Sequence, residues 1–227
     1  MPFIVLEGLD GAGKSTQIGM LREWFEGRGV TTRYLHFPRF DAPIFGELIA
    51  RFLRGDMGSV ESVDPYLVAL IFACDRAEAA PTVRRWLEAG ETVIVDRYVY
   101  SNIGYQCAKL PPEKRPELKK WILELEYDYY KLPRPDLNIF LDVPFEFTRT
   151  KLAGARRGGD RDYLQGSADI HEASLELQRT VRETYLAAAR EDATLRIVDC
   201  SDARGAMTSP EATFERILEV VQGAFVM

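Results

Sequence analysis

Gly8-Leu9-Asp10-Gly11-Ala12-Gly13-Lys14-Ser15 follows the apolar run Phe3 to Leu6 and leads into a helix-compatible segment. Glycines at its first and sixth positions let the backbone curl into a nest whose amide N–H groups point inward, where a side chain would obstruct a polyphosphate. Lys14 reaches the β- and γ-phosphates, Ser15 offers a hydroxyl to Mg2+, and the following helix turns the positive end of its dipole toward the anion. A strand before and a helix after are the context such a loop needs. The stretch therefore predicts a bound nucleotide polyphosphate, held by Gly8, Gly11, Ala12, Gly13, Lys14, Ser15 and Thr16. What is done with that nucleotide has to be read elsewhere in the chain.

A length of 227 residues with 46% hydrophobic content suffices for one well-buried α/β domain with a small lid. No apolar segment approaches the length that spans a bilayer, and the loop begins so early that no presequence is expected before it. The expectation is a soluble, cytoplasmic protein with no membrane partner. Cys74, Cys107 and Cys200 lie far apart with no CxxC pair, so they read as core or surface thiols. A net charge of −6 argues against a general nucleic-acid surface, while arginines in loops beside aromatic residues suit a small anionic substrate.

Strand and helix patterns alternate outward from the loop. Phe3 to Glu7 reads as a buried strand, and Ser15 to Arg28 places Ile18, Leu21, Trp24 and Phe25 on one helical face before Gly29. Thr31 to Phe37, Thr92 to Val95, Leu137 to Val143 and Leu195 to Val198 read as further strands. Ile44 to Leu53, Pro65 to Ala89, Lys114 to Tyr130, a segment beginning near Phe145, Ile170 to Arg190 and Pro210 to Gln222 read as helices. Ala153 to Gly166 has no apolar period and carries Gly154, Gly158, Gly159 and Gly166 among Arg156, Arg157 and Arg161, which predicts a basic lid over about 153–168. The whole predicts an α/β fold: a doubly wound parallel sheet flanked by helices, with ligands at the carboxyl ends of the strands, where Asp96 and Arg97 emerge.

Arg39, Arg76 and Arg97 occupy distinctive contexts: Phe37-Pro-Arg39 after a strand, Phe72-Ala-Cys-Asp-Arg76 in a helix, and Asp96-Arg97-Tyr98 after a strand. A planar guanidinium donates two parallel hydrogen bonds and stays charged, which suits an acceptor phosphate. Singly, each reads as a surface or ion-pair arginine; with aromatic neighbours, the three together favour a second anion site. Phe72 and Arg76 are four apart on one helix face, so the ring can stack on a base while the guanidinium reads its edge. Taken alone, Phe72 reads as a core residue. Asp10 sits inside an anion nest and would be repelled by the anion, so it needs another partner, a sugar hydroxyl or metal-bound water. His36 and His171 read as structural or exposed.

Five stretches together, FIVLEGLDGAGKSTQ (3–17), Phe-Pro-Arg (37–39), FACDR (72–76), DRYVYSNIGYQ (96–106) and LPRPDLNIFLDV (132–143), resemble the thymidylate kinase family in its order and spacing across nearly the whole chain. The resemblance implies transfer of the γ-phosphoryl group of ATP to the 5′-phosphate of dTMP with Mg2+, giving ADP and dTDP, by a homodimer. It implies that Phe72 stacks on thymine, Arg76 and Asn102 hydrogen-bond its edge, Tyr105 lies under the deoxyribose, and Tyr163 closes over the nucleoside. Arg39 and Arg97 would hold the acceptor phosphate. Asp96 would orient the Mg2+ shell through water, Asp10 would meet the sugar 3′-hydroxyl or the metal hydration, and Gln106 would act one layer behind. The apolar stripe Leu67, Leu70, Ile71 and Cys74 suits either a dimer contact or the intrachain core.

A phosphate monoester with a second pKa of about 6 is mostly dianionic near neutral pH and attacks without a general base. Positioning and charge neutralisation are then the main demands on the protein. Some family members carry a catalytic arginine in the phosphate loop; Gly11 stands at that position here, which shifts the expectation to Arg156, Arg157 and Arg161 as the source of an arginine finger supplied within the chain. Two alternatives remain: a deoxynucleoside kinase with Asp96 as base toward a sugar hydroxyl, and a GTPase-type switch, which lacks an NKxD-like string here.

Overall fold

The computed structural model of the chain describes residues 1–153, 159–165, 169–172 and 174–225. Five parallel strands, β1 (Phe3–Gly8), β2 (Thr32–His36), β3 (Thr92–Asp96), β4 (Leu137–Asp142) and β5 (Leu195–Asp199), are ordered β2-β3-β1-β4-β5. β1 is central because each of its residues is buried on one face or the other. Phe3, Val5, Val93, Val95 and Phe140 enter one hydrophobic cluster, while Ile4, Leu6, Ile94, Ile139 and Leu141 enter a second, the two-residue period of a sheet covered on both sides. Each such fully buried side chain contributes roughly 1.5–3 kcal/mol.

α1 (Lys14–Glu26) and α8 (Pro210–Ala224) cover one face through Leu21, Phe25, Ile217 and Val221. α3 (Pro65–Glu88), α4 (Val99–Cys107), α5 (Arg115–Leu123) and α7 (Leu175–Ala189) cover the other, through Val83, Ile103, Ile122 and Val181 among others. α6 (Phe145–Ala153) follows β4, and α2 (Phe45–Leu53) packs Ile49, Phe52 and Leu53 against Val68 of α3 in a separate small core. Parallel pairing places Gly8, Asp96 and His36 at the same carboxyl edge of the sheet, with Leu6 opposite Asp96 and Asp96 opposite His36.

The doubly wound parallel sheet is as the sequence predicts, and three elements differ from expectation. α4 has no counterpart in the periodicity, because eight of its nine residues are buried and a helix buried all round shows no polar face. Its Gly104 is where Tyr185 packs; a Cβ there would lie 2.7 Å from the ring. The single helix expected over Lys114 to Tyr130 is a short 3-10 turn (Pro112–Lys114), then α5, then a π-helical segment (Glu124–Tyr129). α7 starts at Leu175 rather than Ile170, where the Ser174 hydroxyl caps it by accepting from the Leu177 N–H.

In α3, Val68, Ala69 and Ala73 face the core, Ile71 packs on the α2 core, and Leu67 is exposed, so the stripe does not lie wholly in the intrachain core. Cys107 and Cys200 are buried free thiols and Cys74 is partly buried. Among the described residues no helix is long and apolar enough to cross a membrane.

Candidate active site

Gly11 and Gly13 take φ of 78° and 85°, left-handed values that a side chain resists, and these turns bend the β1–α1 connection into its nest. Lys14 folds back over that nest, its Nζ donating to the carbonyls of Gly8 and Leu9 at 3.3 Å each. Burial lowers its pKa to about 8; Arg97 adds to that, while Asp96, Asp10 and Glu7 oppose it. A polyphosphate would restore the missing countercharge. Ser15 and Thr16 are exposed at the mouth.

Arg97 leaves β3 with φ of 65°, an uncommon conformation for a residue with a side chain, and so turns its guanidinium back toward the nest. Its Nη2 donates to Asp10 Oδ1 at 2.6 Å and its Nη1 to Ser101 at 3.2 Å. Asp10 Oδ2 accepts from the Tyr105 hydroxyl at 2.7 Å and from Gln178 at 3.3 Å. Asp10 thus has protein partners, Arg97 first among them, in addition to any sugar or metal-bound water.

Beneath this pair lies Glu7, fully buried. It accepts from the Tyr98 and Ser101 amides at 2.9 and 3.1 Å, and from the Ser101 and Tyr185 hydroxyls at 2.6 and 2.8 Å. These bonds fasten the strained turn after β3 to β1. In the sequence alone, Glu7 is indistinguishable from an ordinary strand end.

A cavity of about 560 Å³ is lined by the nest together with Phe72, Arg76, Asn102, Tyr105, Gln106 and Tyr163. Phe72 is half-buried and does both things allowed for it, packing on the α2 core and facing the cavity. Arg76 is 2% exposed and spends Nε and Nη2 on Glu126 at 2.5 and 2.7 Å. Asn102 donates its Nδ2 to Ala69 O at 3.0 Å and to Glu126 at 2.9 Å, while its buried Oδ1 has no hydrogen-bond partner. Glu126, absent from the sequence reading, therefore organises this wall.

Tyr105 stacks on His171, centroids 5.0 Å apart, and burial holds that imidazole neutral with its pKa well below the usual value. His171 is thus structural in the sense expected, yet lies in the cavity wall. Tyr163 stacks on Phe40 and donates to Asp169 at 2.8 Å; burial, followed by the charge of Asp10, pushes Asp169 up to about 7. Gln106 reaches the wall with its Oε1 held by Lys109 at 2.7 Å.

Arg39 is a departure. Its Nε donates to Asp75 at 2.8 Å and its Nη2 to Asp75 O and Glu78, so its head group faces α3 and not the cavity that Arg97 lines. The carboxylate of the same FACDR motif captures it, a long-range pairing that spacing could not reveal. Arg156 and Arg157, with half of the lid expected over 153–168, lie outside the described residues; of Arg161 only the backbone is described, in a 3-10 turn (Gly159–Leu164).

Asp96 is 5% exposed, and its Oδ1 is buried without a partner at the end of β3. An orphaned carboxylate oxygen beside a phosphate nest fits the hydration shell of Mg2+, which is usually bound by one or two carboxylates plus substrate phosphates. Among the described residues no group of three or more His, Cys, Asp or Glu is placed to hold a metal ion, so a metal here would rely on the nucleotide for its other ligands.

A family model described as thymidylate kinase matches residues 6–208. A probable thymidylate kinase of Thermococcus kodakarensis is 35% identical over 225 residues, covering 97% of both chains. A thymidylate kinase of Mycobacterium tuberculosis is 34% identical over 183 residues, covering 80% of this chain and 83% of that one. Among solved structures, thymidylate kinase from Candida albicans superimposes with a TM-score of 0.70 at 26% identity, covering 98% of this chain and 91% of the other.

Proposed function

This chain belongs to the thymidylate kinase family, and on that premise we propose that it transfers the γ-phosphoryl group of ATP to the 5′-phosphate of dTMP. The observation that carries the acceptor reading is the unpartnered Asn102 Oδ1 beside Arg76. Asn102 and Arg76 both line the cavity, and an acceptor next to a guanidinium is complementary to an imide edge, N–H beside C=O, which thymine and uracil present and cytosine does not.

The cradle from Gly8 to Thr16 holds the ATP phosphates, with Lys14 over the β- and γ-phosphates. Ser15 and, through water, Asp96 would hold Mg2+, which would supply charge neutralisation at the transferring group. Arg97 offers its guanidinium to the acceptor phosphate from the nest side. Asp10 fixes that guanidinium by accepting from Nη2, and beside its bonds to Tyr105 and Gln178 it would meet the deoxyribose 3′-hydroxyl or metal-bound water. Tyr105, on the far oxygen of Asp10, lies under the sugar. Phe72 and Tyr163 close on the base.

No side chain needs to remove a proton, because the attacking oxygen belongs to a dianionic phosphate. Arg39 would join the phosphate only by leaving Asp75 and Glu78. One or more of the lid arginines Arg156, Arg157 and Arg161 supplies positive charge to the transferring phosphoryl group, and unchanged kcat in all three single Arg→Ala variants would exclude this. The family's homodimer is carried over as a proposal, read by sedimentation; a monomer at micromolar concentration contradicts it.

Steady-state kinetics with ATP, Mg2+ and a panel of nucleoside monophosphates tests the acceptor. We expect dTMP to be preferred, with dUMP reduced by the loss of one methyl contact, about 10- to 200-fold. Preference for a purine or cytosine monophosphate would refute the reading.

A further inference from the structure

The base-reading wall draws its polarity from a residue outside the cavity. Asn102 is an amide, and an amide can present either its oxygen or its NH2 group to a ligand. Two acceptors stand on its protein side: the carbonyl of Ala69 at 3.0 Å and the carboxylate of Glu126 at 2.9 Å. Neither can donate, so both require the NH2 group, and the oxygen must point the other way. That oxygen is buried and unpaired, on a residue that lines the cavity. The same carboxylate fixes the second reader, since Glu126 takes Nε and Nη2 of Arg76 in a forked pair with both side chains at most 2% exposed.

Glu126 reaches both because it lies in the π-helical segment Glu124–Tyr129, where the widened turn places Glu126 and Tyr127 inward between exposed or half-buried neighbours. The widening shows in the Tyr130 N–H donating to Leu125 O, five residues back.

We infer that Glu126 is a specificity-determining positioning residue: by accepting from Asn102 and Arg76 together, it sets them to read a base whose ring nitrogen is a donor, such as N3 of thymine, and so excludes cytosine, whose N3 is an acceptor. The inference rests on the dTMP reading and deepens it. Glu126 does not touch the base; its effect passes through the orientation of two side chains that do.

The test is the ratio of kcat/KM for dTMP to kcat/KM for dCMP, measured for wild type, Glu126→Gln and Glu126→Asp. In Glu126→Gln the new amide can accept from Arg76 through its oxygen and turn its NH2 group toward Asn102, which favours a flipped Asn102 with its own NH2 group facing the cavity. Ala69 O still favours the original orientation, so the ratio should fall about tenfold without inverting. Glu126→Asp keeps an acceptor-only side chain and should keep the wild-type ratio even where both rates drop. A ratio is independent of the folded fraction, so a merely structural role would lower both rates together and leave it unchanged.

An unchanged ratio in Glu126→Gln, or an equal collapse in Glu126→Asp, overturns the role of Glu126 while leaving the dTMP reading intact. A wild type that accepts dCMP as readily as dTMP overturns the dTMP reading itself, and this inference with it.

Discussion

The phosphate cradle and the base wall meet in one cavity but are built in opposite ways. The cradle is a single run from Gly8 to Ser15, made of backbone amides around two left-handed glycines with one lysine laid across it. The wall is gathered from α3, α4 and the π-helical segment, with Glu126 lying 50 residues from Arg76 and 24 from Asn102. In the cradle, function depends on a charge that the fold pays to bury; in the wall and the turn beneath it, function depends on hydrogen bonds that also hold the fold together. Substitutions in the two regions should therefore separate activity from stability in different ways.

The largest expected effect is at Lys14. Lys14→Met should reduce kcat by about 10²- to 10³-fold, the usual consequence of removing one pre-organised electrostatic contact. It should not lower Tm at neutral pH, because burial already disfavours the charged amine. The same substitution isolates the pH dependence. With a folded pKa of about 8, below the ordinary lysine value of 10.5, the unfolded chain binds more protons between those values, so stability contributed by Lys14 rises with pH across that window. Free wild-type enzyme should lose kcat/KM for ATP as pH rises through about 8, while kcat holds to higher pH because bound phosphates favour the charged amine. A kcat/KM profile flat to pH 10 would break the assignment.

Glu7→Gln is the counterpart beneath the wall, with a smaller effect on rate and a larger one on stability. An amide offers one acceptor oxygen where the carboxylate offers two, and it introduces donors where the Tyr98 amide, the Ser101 amide and two hydroxyls already donate. A loss of about 2–3 kcal/mol is expected, which lowers Tm by roughly 5–10 °C in a chain of this size, with kcat reduced on the order of tenfold. A variant that keeps its Tm but loses all activity would show that Glu7 acts in the chemistry rather than in holding the Arg97 turn.

The same contrast decides how much could be read from sequence. The cradle was legible because backbone recognition of phosphate needs glycines and a lysine at fixed spacing, and neighbouring residues supply the whole device. The parallel sheet was legible from its apolar strands. α4 was not, since its Asn102, Tyr105 and Gln106 face inward with the rest and leave no polar stripe. Their motif placed them in the site, but their partners were hidden. Glu126 sits among Glu124, Tyr127 and Asp128, where charge at helical spacing reads as a solvated face, and only the π-helical register turns it inward. Arg39 shows the reverse: its motif pointed to an anion, yet the tertiary fold brings Asp75 to it first.

The acceptor is decided by supplying the purified chain with γ-labelled ATP, Mg2+ and either dTMP or thymidine, and following the label by chromatography. Label in the β-phosphate of dTDP, with none transferred to thymidine, is the predicted result. Labelled dTMP formed from thymidine without any labelled dTDP, or ATP hydrolysis that ignores both acceptors, would contradict it.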